Sequence, residues 1–279
     1  MRNEIEEIQN KYGIVGRANE LELALACLKA NRNLLIEGPV GVGKTALATA
    51  LAAHLGKPVF RVDGDERYTE QKLTGWFDPP VVVKMGYCME AFIPGPLTLA
   101  MQASGILFIN ELNRMPESAQ NVLLPCLDEN LLIIPKVGQI RSPNGFCVVA
   151  TQNPQEFIAT SHLSEALRDR FEMIRLDYQC MEEEVEIVRR AVTGIDDNLV
   201  INAVRIVRHT REHPAIKRGA SVRAAISICQ IARRLDGSNA LLRAALLALP
   251  TRIELKEEYD YPVEHAIREV VEAAESKKA

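Results

Sequence analysis

The stretch Leu34-Leu35-Ile36-Glu37-Gly38-Pro39-Val40-Gly41-Val42-Gly43-Lys44-Thr45-Ala46 decides how this chain is read. A short apolar run of strand length enters a loop with three glycines, and the loop closes on Lys44-Thr45 before an alanine-rich segment of helical period. Gly38 to Thr45 fits the spacing Gly-x4-Gly-Lys-Thr of a phosphate-binding loop. At ~7% glycine, roughly one chain in a hundred of this length carries such a match by chance, and the flanking strand and helix make it rarer. The chemistry follows from the residue types. Glycines let successive backbone N–H groups turn toward a polyphosphate, and the helix N-terminus adds a favourable dipole. Lys44 supplies a point charge for the terminal phosphates, and Thr45 offers a hydroxyl to Mg²⁺.

Outward from that loop, short apolar runs alternate with helical periods as far as Leu176. Expected strands are 33–37, 59–62, 106–110, 146–150 and 173–176; expected helices are 20–30, 43–55 and 117–129. Such alternation predicts a three-layer α/β domain, a parallel sheet with helices on both faces. Leu131–Pro135 and Lys136–Ile140 suit a β-hairpin inserted between helix and strand. From Glu182 the strands stop, and 182–192, 198–212, 222–236, 239–249 and 263–274 all suit helices, separated by Asp, Gly, Ser and Pro breaks. Two domains are expected: an α/β nucleotide-binding domain over 1–178 and a small all-helical lid over 179–279.

The run Ile106-Leu107-Phe108-Ile109-Asn110-Glu111 is the second chemical element. Side chains alternate along a strand, so Asn110 and Glu111 point in different directions. One can face the metal shell and the other the attacking water.

The chain has 279 residues, 47% of them hydrophobic and 25% charged, which suffices for a sizeable core and excludes an intrinsically disordered chain. No apolar run approaches the ~20 residues needed to cross a bilayer, and the N-terminus lacks a signal-peptide core, so a cytoplasmic protein is expected. Six scattered cysteines include no Cys-x-x-Cys pair, which disfavours a zinc site or a disulfide frame. A net charge of −4 disfavours generic nucleic-acid binding.

With these residues quoted, the sequence resembles an AAA+ ATPase, specifically the MoxR family close to its CbbQ/NorQ-like branch. The resemblance rests on seven segments in the family's order: Gly13-Ile14-Val15-Gly16-Arg17, the phosphate loop, Phe92-Ile93-Pro94-Gly95-Pro96-Leu97-Thr98, Asn110-Glu111-Leu112-Asn113-Arg114, Ala150-Thr151-Gln152-Asn153-Pro154, Asp169-Arg170-Phe171 and Gly219-Ala220-Ser221-Val222-Arg223. It implies that Ile14 and Val15 lie in the segment passing the adenine and that residues 38–46 bind ATP. It further implies that Thr45 and Asn110 serve the Mg²⁺ shell and that Glu111 activates water. Asn153 matches sensor 1, Arg223 matches sensor 2, and Arg170 matches the arginine finger that reaches a neighbouring subunit's ATP. Arg168 stands close enough to compete for that last role, and Arg114 is a candidate for a second inter-subunit contact.

The same resemblance implies a ring homo-oligomer, a hexamer by family precedent. It also implies a protein client that the ring remodels or activates, and a separate partner bearing a von Willebrand factor A domain. The 131–140 hairpin and the 69–92 stretch, with Trp76, Phe77, Tyr87 and Phe92, are candidates for client-facing loops, with ordinary packing as the alternative reading. One departure matters: the family usually carries Asp where this chain has Asn110. An amide oxygen accepts hydrogen bonds but brings no negative charge, which predicts weaker Mg²⁺ retention and slower hydrolysis. It leaves open a nucleotide-gated binding module that rarely cleaves ATP. A nucleic-acid motor, a small-molecule kinase and a GTPase are disfavoured in turn by the acidic balance, by the neighbour-directed arginine together with the five-helix tail, and by the lack of an Asn-Lys-x-Asp motif.

Overall fold

The computed structural model describes residues 1–142, 145–153 and 163–276. Its strands in chain order are β1 (Leu34–Glu37), β2 (Val59–Asp63), β3 (Gly75–Phe77), β4 (Phe92–Pro94), β5 (Ile106–Asn110), β6 (Leu131–Ile134), β7 (Gly138–Arg141), β8 (Cys147–Gln152), β9 (Glu172–Arg175), β10 (Ile216–Arg218) and β11 (Glu254–Leu255). The chain forms two compact units, one of Met1–Pro39 with Gly43–Asp177, the other of Val40–Val42 with Tyr178–Ala279.

In the first unit β2, β5, β8, β1 and β9 lie side by side in that order, every pair parallel. This is the parallel sheet that the strand–helix alternation predicts, and all five expected strands are present within two residues at either end. The three inner strands are apolar on both faces, as covered parallel strands must be: Ile106–Ile109, Cys147–Ala150 and Leu34–Ile36 are all buried. β8 lies between β5 and β1, although hairpin and helices separate the three in sequence. The carboxyl ends of β1, β8, β5 and β2 therefore share one edge, where open α/β sheets place their ligands.

Several elements differ from expectation. The expected helix over 117–129 is two helices, Glu117–Asn121 and Leu123–Glu129; Pro125 has no N–H to give to the carbonyl of Asn121, which breaks the continuity at Val122. Helices Arg2–Tyr12 and Pro96–Gln102 are additions. The second has Gly95 as its cap and Pro96 at its first position, where the ring's fixed φ fits and its missing N–H costs nothing. The 131–140 hairpin is present as antiparallel β6 and β7, with Ile134 opposite Gly138.

The second unit is built of helices Met181–Ala191, Asp197–Glu212, Val222–Ala232, Ala240–Ala248 and Val263–Ser276. Their inward stripes, among them Val188, Val204, Ile206, Ile228 and Ile267, form its own core. It is not wholly helical: β10 and β11 form a two-stranded antiparallel ribbon. Strands of three and two residues are too short to leave a period-2 pattern, which is why the sequence reads there as loop. Inside this unit Glu184 is buried and accepts from Arg211 (2.8 and 3.1 Å) and Arg208 (3.0 Å). Two guanidinium groups thus compensate one buried carboxylate, as a charge taken out of water requires.

Candidate functional site

Strand β1 delivers the chain into the loop at Gly38, whose N–H donates to the carbonyl of Gln152 on β8 (3.3 Å). Gly41 and Gly43 have φ of 81° and 93°, a region that side-chain-bearing residues rarely enter. Gly43 caps the helix Lys44–His54, so Lys44, Thr45 and Ala46 form its first turn. Lys44 Nζ donates to the carbonyls of Gly38 (2.6 Å) and Pro39 (2.8 Å), which curls the loop around the ammonium group. A cation held in a glycine-rich turn at a helix N-terminus has the chemistry that suits a polyphosphate. Val40 is exposed.

Asn110 ends β5 and sits at the centre of a hydrogen-bonded cluster. Its Oδ1 accepts from the hydroxyls of Thr45 (3.2 Å) and Thr151 (3.0 Å), and its Nδ2 donates to Asp63 Oδ1 at the end of β2 (3.1 Å). Asp63 and Asn110 are register partners. The same Thr151 oxygen accepts from the N–H of Glu111 (3.0 Å), which helps fix that residue at φ 59°, ψ 53°. A left-handed glutamate is costly, and such strain persists only where surrounding structure holds it. The Glu111 carboxylate is about one-third exposed and pairs with Arg114 Nη1 at 3.0 Å. Gly64 follows Asp63 and donates to the carbonyl of Asn110 at 2.7 Å. A Cβ on Gly64 would lie 2.1 Å from the Glu111 carbonyl oxygen, so the approach of β2 to β5 requires glycine.

Asn153 follows β8 and is buried; its carbonyl accepts from Asn113 Nδ2 (3.4 Å). Pro154, which closes that motif, lies outside the described residues. Ile14 and Val15 are half-buried in the turn after Arg2–Tyr12, where Gln9 Nε2 donates to the carbonyl of Gly16 (2.6 Å) and Arg17 donates to that of Asp177. Arg170 pairs with Asp128 of its own unit at 2.5 Å. Its Nη1 also donates to the carbonyl of Ala166, while Arg168 is exposed. Arg223 is exposed on the first turn of Val222–Ala232.

The structure therefore gathers Lys44, Thr45, Asn110, Glu111 and Asn153 at the ends of adjacent elements of one sheet. Sequence reasoning missed Thr151, Asp63 and Gly64. Thr151 lies within a quoted motif; a buried hydroxyl at the end of an apolar strand needs a partner, and that was the available signal. Asp63 becomes visible only once β2 is paired with β5. Of the four aromatic residues considered for client contact, Phe77 packs against Phe92 (5.4 Å), which is buried, and against Tyr87 (4.9 Å), which is itself exposed, so packing accounts for Phe77 and Phe92. Trp76 is exposed.

The donors around Asn110 are all oxygens, which suits a hard cation. No cluster of three or more His, Cys, Asp or Glu able to hold a metal exists among the described residues. Magnesium with a nucleotide needs none, because phosphates and waters fill most of its shell and one or two protein oxygens complete it. The residues present fit that ion.

Comparison with known proteins agrees with this geometry. Residues 33–171 match the AAA domain of the dynein-related subfamily. The chain is 32% identical over 225 residues to a gas vesicle ATPase, GvpN1, of Halobacterium salinarum, spanning 75% of this chain and 64% of that protein. It is 29% identical to the gas vesicle ATPase GvpN of Haloferax mediterranei, over 88% of this chain and 74% of that one. Among solved structures, a candidate ATPase of Cytophaga hutchinsonii superposes with a TM-score of 0.54 at 23% identity, covering 100% of this chain and 95% of that one, and so shares the fold. The matched segment begins just before β1 and ends just before β9, enclosing the phosphate loop, Asn110, Glu111 and Asn153, so this stretch of the chain is an AAA domain.

Proposed function

We propose that the chain is a cytoplasmic MoxR-type ATPase that works as a homo-oligomeric ring and uses Mg²⁺-dependent ATP hydrolysis to remodel or activate a protein client. The observation that carries this is the Thr45–Asn110–Thr151–Glu111 network, which joins the phosphate loop to the strand end bearing the water-activating carboxylate. Residues 38–46 hold the triphosphate, and Ile14 and Val15 face the adenine. Thr45 and Asn110 would hold the Mg²⁺ shell, and the ion would supply positive charge to offset that of the phosphates. Glu111 takes the proton of the attacking water once it leaves Arg114, and Asn153 orients that water.

Arg223 reads the nucleotide from the helical unit, and Arg170 acts on the ATP of the adjacent subunit. An arginine so placed stabilises the charge of the transferred phosphoryl group, by 10³–10⁵-fold in other enzymes. The family pattern supports a hexamer and a separate von Willebrand factor A domain partner. Relatives named as gas vesicle ATPases support the ATPase reading.

Asn110 and the Glu111–Arg114 pair favour a second reading, in which ATP orders the ring and is seldom cleaved. Size-exclusion chromatography with ATP, run beside phosphate release, separates the two. Assembly with turnover well above a Glu111→Gln control supports the motor, and assembly with turnover equal to that control supports the binding module.

A further inference from the structure

Asn110 raises a problem that an aspartate does not. A carboxylate presents oxygen to a cation whichever way it rotates, whereas an amide presents oxygen in one orientation and an NH₂ donor in the other. The wrong orientation would aim partial positive charge at the metal shell. Something must decide between the two, and the decision has to come from the neighbours.

Two neighbours give hydroxyls, which can adapt. Thr45 and Thr151 each rotate to donate or accept, so they tolerate either orientation of the amide. Asp63 cannot adapt. Its carboxylate is acceptor-only when ionised, it stands 3.1 Å from Asn110 Nδ2, and it is the register partner of Asn110 on the next strand. Arg61 grips the same carboxylate through Nη2 (2.7 Å) and Nε (3.1 Å), a two-point contact that fixes where its oxygens lie beside the amide. Gly64 lets the backbone of β2 close on Asn110 and Glu111. With Nδ2 committed to Asp63, Oδ1 must face Thr45.

We propose that Asp63 is a positioning residue for the divalent cation: it locks the Asn110 amide with its oxygen toward Thr45 and returns to the site the negative charge that the asparagine lacks. This rests on the Mg²⁺–ATP reading above and adds to it the residue that makes a neutral side chain serviceable there. The arrangement is a swap. The acid has moved one strand outward, and the amide now lies between it and the metal shell.

The swap predicts a reversal of sign that a merely structural aspartate would not show. In the native background, Asp63→Asn removes the lock, and Mn²⁺ affinity of the ATP complex, measured by paramagnetic resonance titration, falls about 10–100-fold, the usual cost of losing an orienting partner behind a metal ligand. In an Asn110→Asp background Asp63 faces a second carboxylate, two like charges that cannot both ionise cheaply. There Asp63→Asn relieves the repulsion, and Mn²⁺ binds more tightly in the double variant than in Asn110→Asp alone. Thermal midpoints of all four proteins check folding, and the Asn110→Asp pair carries the test if the single Asp63 variant is unstable. Equal Mn²⁺ affinity with and without Asp63 in the native background, or a loss of the same size in both backgrounds, overturns the proposal. Failure of the native protein to bind Mn²⁺–ATP at all overturns the parent reading as well, so the two failures are distinguishable.

Discussion

Gly64→Ala is the substitution whose consequence is most directly worked from the geometry. The new methyl would stand 2.1 Å from the Glu111 carbonyl oxygen, 2.9 Å from its carbonyl carbon and 3.1 Å from the Asn110 carbonyl oxygen. All three are backbone atoms, so no side chain can rotate away. Reaching an ordinary contact of about 3.4 Å requires β2 and the Asn110-Glu111 backbone to separate by about 1.3 Å. That movement stretches the 2.7 Å hydrogen bond from Gly64 to Asn110 and disturbs the grip of Thr151 on the Glu111 N–H. Overpacking of this kind costs about 1–3 kcal/mol of stability. Misplacement of a reacting group by ~1 Å can cost about 10²-fold in rate. The glycines of the phosphate loop follow β1, two strands from β5 in the sheet, and the loop meets the displaced segment through the Thr45 hydroxyl, so binding of ATP without Mg²⁺ should be spared. Steady-state phosphate release should therefore fall about a hundredfold while ATP affinity without Mg²⁺, measured by calorimetry, changes less than about threefold. Hydrolysis within threefold of native in a folded Gly64→Ala protein would refute the claim that this strand contact positions Glu111.

Other outcomes follow from particular side chains. Glu184→Ala leaves Arg208 and Arg211 without their shared partner in the helical unit and should destabilise that unit by about 3–5 kcal/mol, read as a lower midpoint in thermal or urea unfolding. Arg170→Ala should bind ATP normally and hydrolyse it at least ~10³-fold more slowly, and mixing it with Lys44→Ala subunits should restore activity only at junctions that pair an intact loop with an intact finger; absence of any recovery would count against action between subunits. Burial pushes the Cys126 thiol up to about 12 from an ordinary value near 9. The unfolded chain therefore releases a proton that the folded one retains. This contribution to stability is complete below pH 9 and is lost as pH rises toward 12, so alkaline unfolding should be shallower in Cys126→Ala.

How much of this was legible before folding depends on which residues carried their own signal. Leu34–Glu37 and Ile106–Asn110 announced themselves because buried parallel strands are continuous apolar runs, and Gly38–Thr45 because its glycines and lysine have a fixed spacing. The end of the first helix after 117 did not, since helical period survives across Pro125 while the hydrogen bonding does not. Asp63 and Thr151 were invisible as site residues for a different reason. Each is an ordinary residue at a strand end, and what makes it part of the site is lateral pairing of β2, β5 and β8, which no local pattern encodes. The departure at Asn110 was plain in the sequence; its compensation is a property of the sheet.

Phosphate release by the ATP-assembled protein, measured with and without Mg²⁺ beside Glu111→Gln and Lys44→Ala, tests the central claim most directly. The account predicts Mg²⁺-dependent turnover in the native protein, loss of turnover with retained ATP binding in Glu111→Gln, and loss of both in Lys44→Ala. Native turnover indistinguishable from Glu111→Gln would contradict it.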